Sequence, residues 1–223
     1  MISVVIPALQ SAHSLPATLA CLSGRRLVRE VIVVDGGSTD DTAALAAKAG
    51  ARVIRAPRGR GVQLAAGAAA ATGEWLLFLH ADTVLARGWS GEARAFIEDP
   101  GHAKAAAVFR FVLDDDAPAA QRWARMVDWR TRRLGLPYGD QGLLISKAYY
   151  TALGGFRPMT LMEDVDMARR IGKDHLIVLE ADAVTSAVRY RKAGYLRRSL
   201  RNLVCLSLYF LGVPPERIER IYR

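Results

Sequence analysis

The sequence predicts an α/β fold in which a mainly parallel central sheet is flanked by helices and followed by a C-terminal amphipathic helix. Three observations carry that expectation. The apolar runs 3–6, 31–34 and 75–79 are too short for helices and lack polar alternation, so they read as strands buried on both faces. Segments with helical spacing separate them, and that alternation is the mark of a parallel sheet. Two of these strands run into a carboxylate, Asp35 and Asp82, at the end where such sheets place their ligands.

The first strand, 3–6, is expected to stop at Pro7, which has no N–H to give a ladder. Leu15, Leu19 and Leu22 predict a helix over 13–22. After the second strand, Gly36 and Gly37 permit a tight turn. Ser38 or Thr39 is expected to cap the helix 43–49, with Asp40 and Asp41 suited to its first turn. A short strand, 51–54, leads through Arg58, Gly59, Arg60, Gly61 and Gln63 into an alanine-rich helix ending at Ala71. Strand 75–79 then organises the sheet. His80 and Asp82 leave it two residues apart, on the same side of the chain.

Beyond it the expected elements are a helix over 91–97, a strand over 105–113 and a solvated acidic turn at 114–116. Next come a basic amphipathic helix, 119–134, carrying Trp123, Met126 and Trp129, and a glycine-flanked loop, 138–142. A strand at 143–145, a turn at 153–156, a helix opening at 162–166 and reaching Ile171, and a strand at 176–179 complete the domain. From Tyr195 on, Leu196, Leu200, Leu203, Val204, Leu208 and Leu211 recur at helical spacing, beside Arg197, Arg198 and Arg201. Packing of this tail on the domain is the default expectation. Pairing with a second subunit to form a homo-oligomer, or lying on an anionic membrane, are the alternatives.

A chain of 223 residues suits one domain, 1–223. Its two cysteines, Cys21 and Cys205, are far apart and form no ligand-spaced cluster, which fits a reducing compartment. The opening residues show neither a basic leader nor a small-residue cleavage site, and no apolar run reaches bilayer length. A cytoplasmic protein is therefore expected, with peripheral contact at the inner face of the membrane left open through the tail. Thirty-one basic against 22 acidic residues give a formal charge of +9, which favours anionic partners without choosing among phosphate, nucleic acid and lipid.

The candidate chemistry lies in the acids. Asp35 can accept hydrogen bonds from a base or ribose. Asp82 can hold a hard divalent cation that bridges to phosphate. Either member of the pair Glu163 and Asp164, at a helix start, can serve as general base. Each of these residues also suits a turn or a helix cap. Gly59-x-Gly61 lacks the third glycine of a dinucleotide loop, since Leu64 stands there, and it precedes the fourth strand, which excludes that reading. Arg58 and Arg60 suit phosphate.

Three segments taken together, Val4-Val5-Ile6-Pro7-Ala8, Val33 to Thr42 and Leu77-Phe78-Leu79-His80-Ala81-Asp82, resemble the family 2 glycosyltransferases. Gly154-Gly155-Phe156 and Met162 to Asp166 with Arg169 match that family's acceptor-side half. Within it, Leu79-His80-Ala81-Asp82-Thr83 and Arg60-Gly61-Val62-Gln63-Leu64 look like a small bacterial branch, some of whose members are assigned to arsenosugar biosynthesis.

The resemblance implies the GT-A nucleotide-sugar-binding fold, with a nucleotide-binding half (1–100), an acceptor half (101–190) and a helical tail (191–223). It also implies an inverting, non-processive transfer of one sugar from a nucleoside-diphosphate sugar to an unidentified acceptor, with no nucleic acid involved. Carried over by position, Pro7, Ala8, Asp35, Gly36, Arg58, Arg60, Gln63, Ala81 and Asp82 would bind the donor nucleotide. Asp82, with His80 beside it, would ligate Mg²⁺ or Mn²⁺. Gly139, Asp140, Gln141 and Gly142 would shape the acceptor side, and Asp164 would be the base with Glu163 as its neighbour.

Two departures stand out. His80 replaces the first aspartate of the usual Asp-x-Asp motif, and imidazole is a poorer ligand for hard cations. Arg189-Tyr190 stands where processive polymerases carry Gln-x-x-Arg-Trp. The rival readings are a sugar nucleotidyltransferase, disfavoured because Pro7 to Ser11 is no glycine-rich basic loop, and a nucleotide-binding protein of the same fold that is catalytically weak or inactive.

Overall fold

A computed structural model describes residues 1–222, apart from the side chains of Arg189, Lys192, Ala193 and Leu196. The expectations placed on Arg189 and Leu196 therefore lie outside the described residues. Among those residues one mixed, mostly parallel eight-stranded sheet forms the centre. Its strands are β1 (Ile2–Ala8), β2 (Val28–Asp35), β3 (Arg52–Arg55), β4 (Trp75–Phe78), β5 (Thr83–Leu85), β6 (Ala106–Leu113), β7 (Leu143–Ser146) and β8 (Leu176–Thr185). They lie in the order β3-β2-β1-β4-β7-β6-β8-β5. The first four of that order are mutually parallel, β7 runs antiparallel to both its neighbours, and β5 runs antiparallel to β8.

Helices cover both faces. On one, Leu15 and Leu19 of α1 (Leu15–Leu22) and Trp89 and Phe96 of α4 (Trp89–Glu98) pack on Val4, Ile6 and Leu77. On the other, Leu64 and Ala68 of α3 (Arg60–Ala70), Tyr150 of α6 (Lys147–Ala152) and Met167 and Ile171 of α7 (Glu163–Ile171) pack on Val5, Val34 and Phe78. α2 (Thr42–Lys48) lies beside α1, and α5 (Pro118–Leu134) lies on β6. The tail is three helices rather than one: α8 (Val188–Ala193), α9 (Tyr195–Phe210) and α10 (Pro215–Tyr222). Cys205 of α9 and Ile218 of α10 are fully buried against Leu161, Met162 and Val165, so the tail packs on the domain at the start of α7.

Three local expectations are corrected. β1 runs through Pro7 to Ala8. The Val5 carbonyl accepts from Leu79 N–H and the Ala8 carbonyl from Gly36 N–H, so odd residues of β1 face β4 and even ones face β2. Pro7 thus lacks its donor on the side where β4 has already ended at Phe78, and its pairing with Val34 of β2 is intact. Neither Ser38 nor Thr39 caps α2. Both hydroxyls accept from Gln10, whose backbone N–H and side-chain amide tie the loop after β1 to the loop after β2. Finally, β5 was not foreseen, because Thr83, Val84 and Leu85 form too short a run to read. Its partner β8 is ten residues long, where only 176–179 was expected.

Candidate functional site

The site is assembled at the carboxyl edge of β1 and β4. Pro7 and Ala8 end β1, Arg58 and Gln63 flank the start of α3, and Ala81 and Asp82 follow β4. Together they line an open cleft of about 480 Å³. A smaller cavity of about 80 Å³ adjoins it, sharing Arg60, His80, Asp82 and Tyr222 and adding Gly139, Asp140 and Asp164. Residues expected on the donor and acceptor sides thus converge on one region. Four stand apart from both spaces: Asp35, Gly36, Gln141 and Gly142.

Four residues of the segment Arg60 to Leu64 build the floor, each in its own way. The Gln63 amide is buried and donates to the carbonyls of Ala8 (2.9 Å) and Val34 (2.8 Å), clamping the ends of β1 and β2. Leu64 fills the core beneath. Gly61 allows the 157–159 segment to cross the start of α3. Its N–H donates to the Met159 carbonyl at 3.1 Å, and a Cβ there would collide with the Arg157 carbonyl and stand 2.8 Å from Met159 O. Arg60 is then left pointing at Glu163, with Nε 2.9 Å from Oε1.

Glu163 is almost fully buried, whereas the Arg60 side chain keeps 32% of its exposure. Neither Glu163 oxygen receives a hydrogen bond, so the contact is an ion pair and not a directed bond. Burial raises the Glu163 carboxyl to about 7 against the pull of Arg60. Burial disfavours the Arg60 charge, but Glu163 and Asp164 more than offset it and raise its pKa. Glu163 lines an adjoining, mostly apolar pocket, which takes in Gly142 and shares His80, Gly139 and Asp164 with the cavity, and does not line the cavity itself. It positions Arg60.

Asp164 faces the cavity. Its Oδ2 accepts from Gly139 N–H at 2.9 Å and its Oδ1 from Val165 N–H at 2.8 Å, in the first turn of α7 where the helix dipole favours an anion. The residue before the pair, Met162, is held at φ 67°, a left-handed conformation that costs a side-chain-bearing residue of order 1 kcal/mol. Among the described residues Gln10, at φ 50°, is the other such residue; it borders the cleft, whereas Met162 borders the cavity.

The 3-10 turn Gly139–Gln141 lies against the end of β4. A Cβ at Gly139 would collide with His80 Nε2, so glycine is what permits the approach. Gln141 turns away, donating to the Phe109 carbonyl and accepting from the Thr131 hydroxyl. Asp140 has a buried Oδ1 without a hydrogen bond. Burial first, then Asp164 and Asp82, push its carboxyl up to about 7 against Arg130. Arg130 is itself buried, its guanidinium 3.6 Å above the Tyr138 ring. Asp35 is 2% exposed and accepts from Ser38 N–H with both oxygens, so it shapes its own loop.

A divalent cation fits this donor set. No carboxylate oxygen of Asp82 is bonded to another described residue, and the group opens into both the cleft and the cavity. Among the described residues no three acidic, histidine or cysteine side chains form a cage. The site therefore suits a cation whose remaining ligands come from phosphate and water.

Sequence reasoning missed the tail's contribution. Arg198, Asn202 and Cys205 line the cavity from α9, with Tyr222 from α10 and Tyr190 from α8. The signal was present: 198, 202 and 205 share a face at i, i+4, i+7, opposite the exposed leucines.

Residues 3–157 match the family described as Glycosyl transferase family 2. The chain belongs to that family. An uncharacterized glycosyltransferase of Mycobacterium bovis is 45% identical over 83 residues, a stretch covering 36% of this chain and 36% of that protein's own length. The glucosyl-3-phosphoglycerate synthase of Mycolicibacterium paratuberculosis is 36% identical over 94 residues, covering 37% of this chain and 29% of that protein. The crystal structure of the Mycobacterium tuberculosis glucosyl-3-phosphoglycerate synthase in complex with phosphoglyceric acid aligns at TM-score 0.65 and 22% identity. That alignment covers 96% of this chain and 81% of the other. S. aureus TarS aligns at 0.65 and 17%, over 99% and 42%. The structural likeness establishes the GT-A fold.

Proposed function

We propose that the chain transfers one sugar from a nucleoside-diphosphate sugar to an acceptor hydroxyl, with inversion and without processivity. The observation that carries this reading is the convergence of Asp164, Asp82 and Arg60, from three separate elements, on adjoining spaces at the carboxyl edge of the sheet. The cleft between Pro7, Ala8 and Arg58 takes the nucleotide, and Arg58 and Arg60 face its phosphates. Asp164, held by the Gly139 and Val165 N–H groups, accepts the proton of the acceptor hydroxyl. That oxygen bonds to the anomeric carbon as the bond to the diphosphate breaks on the opposite face, and the leaving electron pair stays with the diphosphate. Arg60, oriented by Glu163, offsets the charge that develops there. Asp82, with His80 beside it, would hold Mg²⁺ or Mn²⁺, which would supply further charge neutralisation at the diphosphate.

The halves 1–100 and 101–190 divide donor from acceptor, and the tail completes the acceptor cavity. Structures of the M. tuberculosis synthase carry Mn²⁺ with UDP-glucose, which makes UDP-glucose the first donor to try. Placement in the Leu-His-Ala-Asp-Thr branch rests on residues 79–83 and 60–64. A cytoplasmic location rests on the cysteine usage; among the described residues no helix is long and apolar enough to cross a membrane.

Nucleoside diphosphate release with a panel of nucleotide sugars and hydroxyl acceptors tests the proposal. Asp164→Asn is expected to lower turnover by about 10²–10⁴-fold while leaving donor affinity unchanged. Undiminished turnover in that variant would remove Asp164 from the base role.

A further inference from the structure

Two neighbouring helices present matched stripes that neither the core nor the site uses. On α5, Arg122, Arg125, Met126, Trp129 and Arg133 are all exposed, Trp129 at 57%. At 3.6 residues per turn they fall within a band about 100° wide. On α9, Arg197, Leu200, Leu203 and Val204 are exposed on one band, and Leu211 at its end continues it at 80% exposure. The helices meet at Trp123 and Val127 of α5 and Tyr195 of α9, residues on the sides turned away from the two bands, so that both bands face outward.

The charge on this face is of one sign and uncommitted. Arg132, at the edge of the band beside Arg125, is tied to Asp128 and Glu180, whereas Arg122, Arg125, Arg133 and Arg197 have no ion pair among the described residues. Exposed leucines, an exposed tryptophan and arginines without an ion pair on two touching helices combine the two attractions of an interfacial helix: apolar insertion and pairing with anionic headgroups. The net charge of +9 adds long-range attraction of the same sign.

We propose that the α5–α9 face docks on an anionic lipid bilayer. The occupant is a bilayer and not an acidic protein because the arginines flank apolar side chains suited to burial among acyl chains. Arg198, Asn202 and Cys205 on the opposite side of α9 line the cavity. Docking therefore sets the site about one helix diameter, roughly 10 Å, from the membrane surface.

Sedimentation of the whole protein with vesicles tests this without reference to catalysis. Binding is expected to vesicles containing phosphatidylglycerol and not to vesicles of phosphatidylcholine alone. It should weaken roughly tenfold or more as salt shortens the Debye length from about 10 Å to about 3 Å. Arg122→Gln with Arg125→Gln should lower binding about tenfold, and Leu200→Ser with Leu203→Ser by a similar factor, with thermal melts unchanged because all four positions are exposed. A blue shift of tryptophan emission on phosphatidylglycerol vesicles should vanish in Trp129→Phe. Equal binding to both vesicle types, or none to either, overturns the proposal. So does a self-association abolished by the leucine variants, which would assign the face to a second copy of the chain.

Discussion

Asp140 offers a perturbation whose size follows from its surroundings. The carboxyl is raised from 3.8 to about 7, by burial and by Asp164 and Asp82 across the cavity. Because the folded value lies above the unfolded one, the folded chain keeps a proton that the unfolded chain has shed between those two values. Stability therefore falls as pH rises through that window, and the loss is complete above about 7. A shift of about three units corresponds to a ceiling of about 4 kcal/mol. Asp140 is only part-buried, and solvent screening cuts this to about 1–2 kcal/mol. Asp140→Asn cannot ionise and has nearly the same shape. Its melting temperature should match the parent near pH 4 and exceed it at pH 8 by about 3–6 °C, on the scale for a domain of this length. Fluorescence melts of both proteins across pH 4 to 8 make the comparison. Parallel profiles at every pH would refute the reasoning, and a variant less stable at pH 8 would show that the charged carboxylate holds the loop.

Two further substitutions test how the floor of the site is built. Gly61→Ala puts a methyl group against the Arg157 carbonyl, and overpacking of this kind costs about 1–3 kcal/mol in a urea titration. Because the displaced 157–159 segment leads to α7, turnover should fall with stability. Gln63→Leu removes the donor to Ala8 and Val34 at about 1 kcal/mol for each bond, so a loss of about 2 kcal/mol is expected, and an unchanged denaturation midpoint would show that the clamp is idle.

The sheet was legible because buried parallel strands announce themselves as unbroken apolar runs, as 31–34 and 75–79 do. Its antiparallel far side was less so: Thr83 to Leu85 is three residues long, and β8 alternates buried and half-buried positions beyond Leu179. The acids were found by their place at strand and helix ends, yet place alone could not sort their roles. Asp35 and Asp164 both accept backbone N–H bonds, and only the fold shows that one closes its own loop while the other opens into a cavity. Glu163 and Gln63 read as site residues from their motifs, and the fold adds that one lies against Arg60 and the other bonds the ends of β1 and β2. The cavity's roof was hidden for a different reason. Arg198 and Tyr222 approach Asp82 and Asp164 through the packing of Cys205 and Ile218 against the start of α7, and Tyr190 through its packing with Phe111 and Val127, long-range contacts that no local pattern signals.

The proposed transfer requires the cleft beside Asp82 to bind a nucleoside diphosphate with a divalent cation. Calorimetric titration of a panel of nucleoside diphosphates, with and without Mn²⁺, into the parent protein and Asp82→Ala tests it most directly. One base should bind, more tightly with Mn²⁺, and Asp82→Ala should lose the metal-dependent part while keeping the rest through Arg58 and Arg60. Absence of binding by every nucleotide, with or without the metal, would contradict the claim.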